Sequence, residues 1–409
     1  TASTDAIIPT GLVNYPLIST IQDVRNITIQ PGASLAINVA GELSIKGNYI
    51  NTAGIITNNG RIVLNGSNPQ SFPGSTATVG AMNILEVDNI SGVNFDQSFS
   101  ISGKLQPVNG TVSLNNSDIT IKSDAFATAS VGPVGSGASF NYNGTGKFIV
   151  ERFIPARRAW RLLTAPVTAA SGGSINSNWQ EAATKWPMGP ATPASNPNDG
   201  FGVHISGGTN ANGYDQNVNG NSSIRVFSAG AWNGLPVSTS LYTQKVTDEP
   251  GYMLFVRGSR AVDLTFGTFT VPDNTVLRTS GHLKVANNTP VSITSTGITV
   301  LGNPFASAIN FNSIAAQNGF SLGENKFYMW DPTLTGSYGA GAWVTLAYNG
   351  SSYDRTVSSL NDYPSSGGSQ GIDNIGTIQS GAAVMVDFGA TPKTINLNET
   401  IKVDGSTSM

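Results

Sequence analysis

Bursts of β-branched and aliphatic residues, each only three or four long, dominate the first third of the chain. Ile27-Thr28-Ile29, Leu35-Ala36-Ile37 and Leu43-Ser44-Ile45 recur at intervals of eight. Ile62-Val63-Leu64, Ile84-Leu85-Glu86-Val87, Val112-Ser113-Leu114 and Ile119-Thr120-Ile121 continue the series. Turn signals fill the gaps: Pro31-Gly32, Asn58-Asn59-Gly60, Asn65-Gly66 and Asn109-Gly110. Strands this short are poor material for an independent sheet, but stacked coils let each rung bury the face its neighbour leaves open. The pattern therefore predicts a right-handed parallel β-helix over residues 25–150, in preference to a meandering sandwich of similar composition. Gly and Asn suit its corners, because both tolerate positive φ and the Asn amide bonds locally. An open solenoid end templates strand addition, so residues 1–24 are expected to be an N-terminal cap or linking segment.

A step in composition falls near residue 150. The first 150 residues hold no Trp and no His, whereas all six Trp and both His come later. Residues 151–409 alternate strand-like runs with polar loops. Candidate strands include Trp160–Leu163, Ser223–Phe227, Tyr252–Arg257, Val262–Thr270, Gly281–Val285, Val291–Val300, Lys326–Trp330, Trp343–Ala347 and Ala382–Phe388. Many strands with Gly/Pro/Asn turns predict an antiparallel, jelly-roll-like β-sandwich, with a helical turn or two over Phe311–Gln317.

Several phrases of this second region carry a resemblance. They are Arg152-Phe-Ile-Pro-Ala-Arg-Arg-Ala-Trp-Arg-Leu-Leu-Thr-Ala-Pro166, Gly251-Tyr-Met-Leu-Phe-Val-Arg257, Leu301-Gly-Asn-Pro-Phe-Ala-Ser307, Phe327-Tyr-Met-Trp-Asp-Pro332 and Ile378-Gln-Ser-Gly-Ala-Ala383. The region resembles the large surface and secreted proteins of Bacteroidetes-type bacteria exported by the type IX secretion system, in which β-helical stretches often lie upstream. What the resemblance implies is extracellular or cell-surface display, in adhesion, gliding or matrix roles, and no particular reaction. The sorting domain of several short strands that such proteins carry does not follow Ile401-Lys402-Val403. The expectation is that it was cleaved after export or lies outside this sequence, as does any export signal before Thr1.

Composition narrows the chemistry. Only 11% of residues are charged, 21 Lys+Arg against 24 Asp+Glu, for a net charge of −3. Without a basic face, nucleic acid is not an expected partner. With no Cys, neither disulfides nor thiolate metal sites are open to it. No run of 18 apolar residues predicts a transmembrane helix. His204 and His282 sit in strand-like contexts without a nucleophile elbow and read as structural. Asp248-Glu249, the one adjacent acidic pair, precedes Pro250-Gly251 and reads as a solvated turn. No acids in the solenoid recur at a rung-like interval, so a β-helical polysaccharide lyase is the least favoured function, since fold analogy is not evidence of activity.

Two weaker signals remain. Asp215-Gln216-Asn217-Val218-Asn219-Gly220 matches the opening of a calcium loop, with Asp215, Asn217 and Asn219 as ligands. Val226 stands where the bidentate Glu belongs, which leaves at most a weak Ca²⁺ site, the sole cofactor considered; the rival reading is an Asn-rich loop of Asx-turns. The second signal is the cluster Arg152, Arg157, Arg158 and Arg161 around Trp160. It suits either an inter-domain seam, the preferred reading, or an anionic sugar stacked on Trp160. Trp179, Trp186, Trp232, Trp343, Tyr214 and Tyr338 lie near Gly/Asn-rich loops as further aromatic candidates. Trp330 and Trp343 read as core and Trp232 as a loop tip, so the carbohydrate candidates are Trp232, Trp160 and Arg158. The reading as a whole is a non-enzymatic extracellular scaffold or adhesin that assembles with other surface proteins or itself, with a carbohydrate-binding module as the alternative.

Overall fold

The computed structural model describes residues 4–73, 81–269, 271–322, 325–334, 341–355 and 376–404. The chain is nearly all β. It divides into two compact units between Glu151 and Arg152, with Val285–Thr289 belonging to the first.

The first unit is a parallel β-solenoid of about five turns. Its eight-residue recurrence is a step around one coil: Ile27–Ile29, Ser34–Ile37 and Glu42–Ile45 are successive strands of the same turn. The step from coil to coil is longer. Ala6 pairs with Ile27 and Ile27 with Tyr49, so a full turn takes 21 or 22 residues here. Ile27, Ile29, Leu35, Ile37, Leu43 and Ile45 all point inward and are buried. Further along, aromatic rings fill the column: Phe72 lies 4.9 Å from Tyr49 and 5.3 Å from Phe99, and Phe95 lies 5.0 Å from Phe99.

Within residues 1–24, the described part is itself built as a coil. Ala6–Ile8, Leu17–Ile18 and Ile21–Val24 pair in parallel with the next coil and form the first turn themselves. The reason is that Ile8, opposite Ile29, continues the buried column by one rung. The outward residues of this turn, Ile7, Leu17 and Ile21, are exposed. Charge also lines up in a way the linear spacing concealed. Turns of unequal length bring Glu42 and Glu86 to either side of Arg61, whose Nη1 lies 3.5 Å from Glu42 and whose Nη2 donates to Glu86.

The two larger antiparallel sheets of the second unit are consistent with a β-sandwich, and a two-stranded and a three-stranded sheet accompany them. The first runs in the order Ala159–Leu163, Tyr252–Val256, Ile224–Ser228, Ala231–Gly234. The second runs Ile298–Gly302, Ala383–Asp387, Phe327–Asp331, Ala342–Tyr348, Tyr353–Arg355. Leu162 and Met253 of the first pack on Val300, Ala383 and Met385 of the second, with Trp160, Phe227, Trp232, Trp330 and Trp343 around them. Alternation sends Leu163, Tyr252, Leu254, Ile224 and Val226 to the opposite face, into a core with Trp179 and Tyr214. Each sheet draws on a single stretch of chain.

Local chemistry redraws some expected elements. Val262–Thr270 is not a strand: Asp263 accepts from the Thr265 amide at 2.9 Å and a 3-10 turn covers Leu264–Phe269, while Thr270 lies outside the described residues. The strand expected at Gly281–Val285 lies earlier, over Thr275–Gly281. Gly297, at φ +61°, breaks Val291–Val300 into two strands. A helix does form over Phe311–Asn318, capped by Asn310, which accepts from the Ser313 amide at 2.9 Å, and ended by left-handed Gly319. No helix of the described residues is long and apolar enough to cross a membrane.

Phe95 is fully buried among Phe72 and Phe99. Phe95→Ala is expected to cost about 3–5 kcal/mol through transfer and cavity terms. A urea titration followed by far-UV circular dichroism checks this; tryptophan emission reports only on the second unit, because the first has no Trp.

Candidate functional site

On the first sheet of the second unit, the face that meets the second sheet also floors a cleft of about 580 Å³. Its floor follows from strand register. Trp160 and Phe255 stand directly opposite each other on paired strands, their ring centres 5.2 Å apart. One strand further on, Arg225 lays its guanidinium over Trp160 at 4.8 Å. Arg257 and Arg158 approach the Phe255 ring at 4.7 and 5.4 Å. Such contacts are favourable because the negative ring face meets a cation. Burial, reinforced by neighbouring Arg158, lowers the Arg257 guanidinium to about 10.

The rim comes from two loops. Asn217, Asn219, Asn221 and Ser222 form one side, and the hairpin with Trp232, Asn233 and Gly234 the other. Asn217 fixes the first loop by donating to Ser206 Oγ at 2.8 Å and to the Asn221 carbonyl at 3.1 Å. Ser206 Oγ donates to the same carbonyl at 2.9 Å. Among the described residues the lining carries side-chain amides, guanidinium groups and rings, with no carboxylate.

The sequence candidates are thereby sorted. Arg158, Trp160 and Trp232, the carbohydrate candidates, share this cleft, and Asn217 and Asn219 join them. Two details depart from expectation. Trp160 carries Arg225 on its ring and so serves as a platform for a cation. Trp232 is no loop tip: it lies in a strand, half-buried, 5.4 Å from Phe227 and stacked at 6.4 Å on Trp343. Trp330 and Trp343 are half-buried at the sheet-to-sheet contact. Trp179 and Tyr214 belong to the core, Trp186 is exposed away from the cleft lining, and Tyr338 lies outside the described residues. Sequence reasoning missed Arg225, Phe255 and Arg257; the alternation Met253, Phe255, Arg257 beside Leu162 and Trp160 was the signal available.

The arginine cluster divides by role within the second unit. Arg157 donates to the carbonyls of Pro332 and Thr333 at 2.6 and 2.9 Å, tying down the turn after Phe327–Asp331. Arg161 is buried, which, with Arg157 nearby, lowers it to about 10 against the opposing pull of Asp331. Arg158 alone of the cluster's four arginines lines the cleft.

The calcium-loop reading fails at its one charged ligand. Asp215 is buried, and its oxygens accept from Arg260 Nη2 and Nη1 at 3.0 and 3.1 Å, from Gln180 Nε2 at 2.9 Å, and from the amides of Lys185 and Ile205 at 2.5 and 2.7 Å. With its acceptor positions filled, the carboxylate does not join Asn217 and Asn219 as a ligand. His204, also buried, sits 3.7 Å from it and bonds the Val262 carbonyl at 3.0 Å, a structural placement. His282 is half-buried, its amide donating to Ser171 Oγ at 2.7 Å. Among the described residues no group of three or more His, Asp or Glu side chains gathers where it could hold a metal ion.

Comparison with known proteins found no family model, no curated protein and no solved structure that matches the chain.

Burial alone would raise the Asp215 carboxyl, but His204 and Arg260 outweigh it and hold the group well below the usual carboxylate range. Its stabilising effect is complete at neutral pH and is lost as pH falls below about 4, where the unfolded chain takes up the proton first. Asp215→Asn leaves Arg260 as an unbalanced buried cation, at a cost of about 3–5 kcal/mol at pH 7. Tryptophan-monitored urea melts at neutral and acidic pH check both parts: the wild type should lose stability with acid, and the variant should start lower and respond less.

Proposed function

We propose that this chain is a non-enzymatic extracellular surface protein, a scaffold or adhesin, whose second unit holds a saccharide in the Arg–aromatic cleft. The observation that carries the reading is the meeting of Arg158, Trp160 and Trp232 in one cleft rimmed by Asn side chains. Amide and guanidinium groups offer the donors that sugar hydroxyls and ring oxygens accept, and the exposed part of an indole offers an apolar edge to C–H bonds. The solenoid suits display, since stacked coils extend by repetition and need little charge. The surface location rests on the resemblance to type IX secreted proteins and on the neutral, Asn- and Thr-rich exterior.

A glycan array probed with wild type and with Arg158→Ala/Asn219→Ala tests the cleft. Glycans held by the wild type should lose about tenfold in affinity with the variant, while circular dichroism stays unchanged. Equal retention by both proteins would place saccharide contact elsewhere, and no retention by either would leave only the scaffold.

Self-association is a second reading, favoured by the first coil. Ile7, Leu17 and Ile21 are exposed on strands that pair only with the following coil among the described residues, and such edges accept a further strand. Analytical ultracentrifugation across a wide concentration range decides it; a monomer throughout removes the idea.

A further inference from the structure

The cleft concentrates positive charge in a chain whose net charge is −3. Arg225 is exposed above Trp160, and Arg257 lies against Phe255 with Arg158 on the same ring. The rings stabilise the guanidinium faces but leave their in-plane N–H groups to find acceptors elsewhere. Nη1 of Arg257 is buried and has no hydrogen-bond partner among the described residues. A buried donor without an acceptor is costly, more so on a charged group. A neutral sugar would supply hydroxyls yet leave the like charges of Arg225 and Arg257 unbalanced.

We propose that the cleft takes an acidic polysaccharide, in which a carboxylate or sulfate on one sugar unit accepts N–H bonds from Arg257 and Arg225 beside Arg158. The inference rests on the saccharide reading above and adds to it the sign of the ligand's charge. A planar guanidinium offers paired donors that match either oxyanion. The sugar ring then lies along the Trp232 edge, with Asn219 and its loop facing the hydroxyls. Because the rest of the surface is slightly acidic, attraction comes from this cleft and should weaken with salt.

Calorimetric titration of the intact protein with four polymers tests the proposal: polygalacturonate, the same polymer with its carboxyls reduced, a sulfated galactan and a neutral galactan. At low salt an acidic polymer should bind at least about tenfold more tightly than its uncharged counterpart, and added salt should erode the difference. Whether polygalacturonate or the sulfated galactan prevails identifies the acidic group. Arg257→Gln should abolish the preference; the exposed Arg225→Gln should weaken it by about tenfold without altering the melting transition. Equal binding of charged and uncharged polymers overturns the charge inference and leaves the saccharide reading standing. Binding of acidic polymers that neither variant changes overturns it for this cleft, and no binding of any polymer removes both readings.

Discussion

Each corner of a stacked coil turns buried backbone away from the ladder, and that backbone must find another partner. In this chain the partner is repeatedly a neutral amide. Asn51 accepts from the Gly54 amide at 2.7 Å and donates to the same residue's carbonyl. Gln70 accepts from Gly66 and Asn89, and donates to the Ile45 carbonyl at 2.9 Å. In the second unit, buried Asn303 donates to the carbonyls of Ser307, Ile378 and Gln379 and accepts from the Phe305 amide. An amide offers donor and acceptor together and carries no charge to desolvate. A fold with this many buried corners can therefore be built with only 11% charged residues.

Against that neutral background, several charges come balanced. Asp215 and Arg260 are both fully enclosed and bridge each other through two hydrogen bonds. Arg61 stands between two glutamates. Glu181 receives Arg278, whose guanidinium also covers the Phe201 ring at 4.5 Å. The cleft is different in kind, because three arginines rest on rings and its lining supplies no carboxylate among the described residues. Rings lower the cost of holding a cation but do not neutralise it. The unpartnered Nη1 of Arg257 and the exposed guanidinium of Arg225 are the reason for looking to a ligand there.

The solenoid was legible because its signal is local: short apolar bursts and Asn/Gly turns sit within a few residues of one another. Its true period was not. Burst spacing of eight reports the faces of one coil, whereas coil length varies with the turns, which also hid the Glu42–Arg61–Glu86 column. The boundary near 150 showed in the distribution of Trp. In the second unit, strands with clean alternation were legible, and Val262–Thr270 was lost to an Asx-type turn at Asp263 that propensity does not see. Five residues of the cleft, Arg158, Trp160, Asn217, Asn219 and Trp232, could be named in advance from residue type. Asp215 was misplaced because a ligand-like spacing says nothing of which way a carboxylate faces, and Arg260, its partner, lies 45 residues away.

The five phrases singled out in the second region are largely the wording of its two larger sheets and their connections. The Thr164 amide donates to the Gly381 carbonyl at 2.9 Å, and the Asn303 amide to Ala382 at 3.0 Å, so three of the phrases close on one another. Arg157 brings in a fourth through Pro332, and Tyr252–Val256, paired with Ala159–Leu163, is the fifth. The same strands place Trp160, Phe255, Arg158 and Arg257, so the cationic platform follows from how the sheet is built. Asn217, Asn219, Arg225 and Trp232 come from outside the phrases, on a loop, a hairpin and an outer strand. Loops accept substitution that packed strands resist. A chain that shares those phrases would thus share the platform, and under the acidic-saccharide proposal it would keep Arg158 and Arg257 while Arg225 and the rim are free to differ.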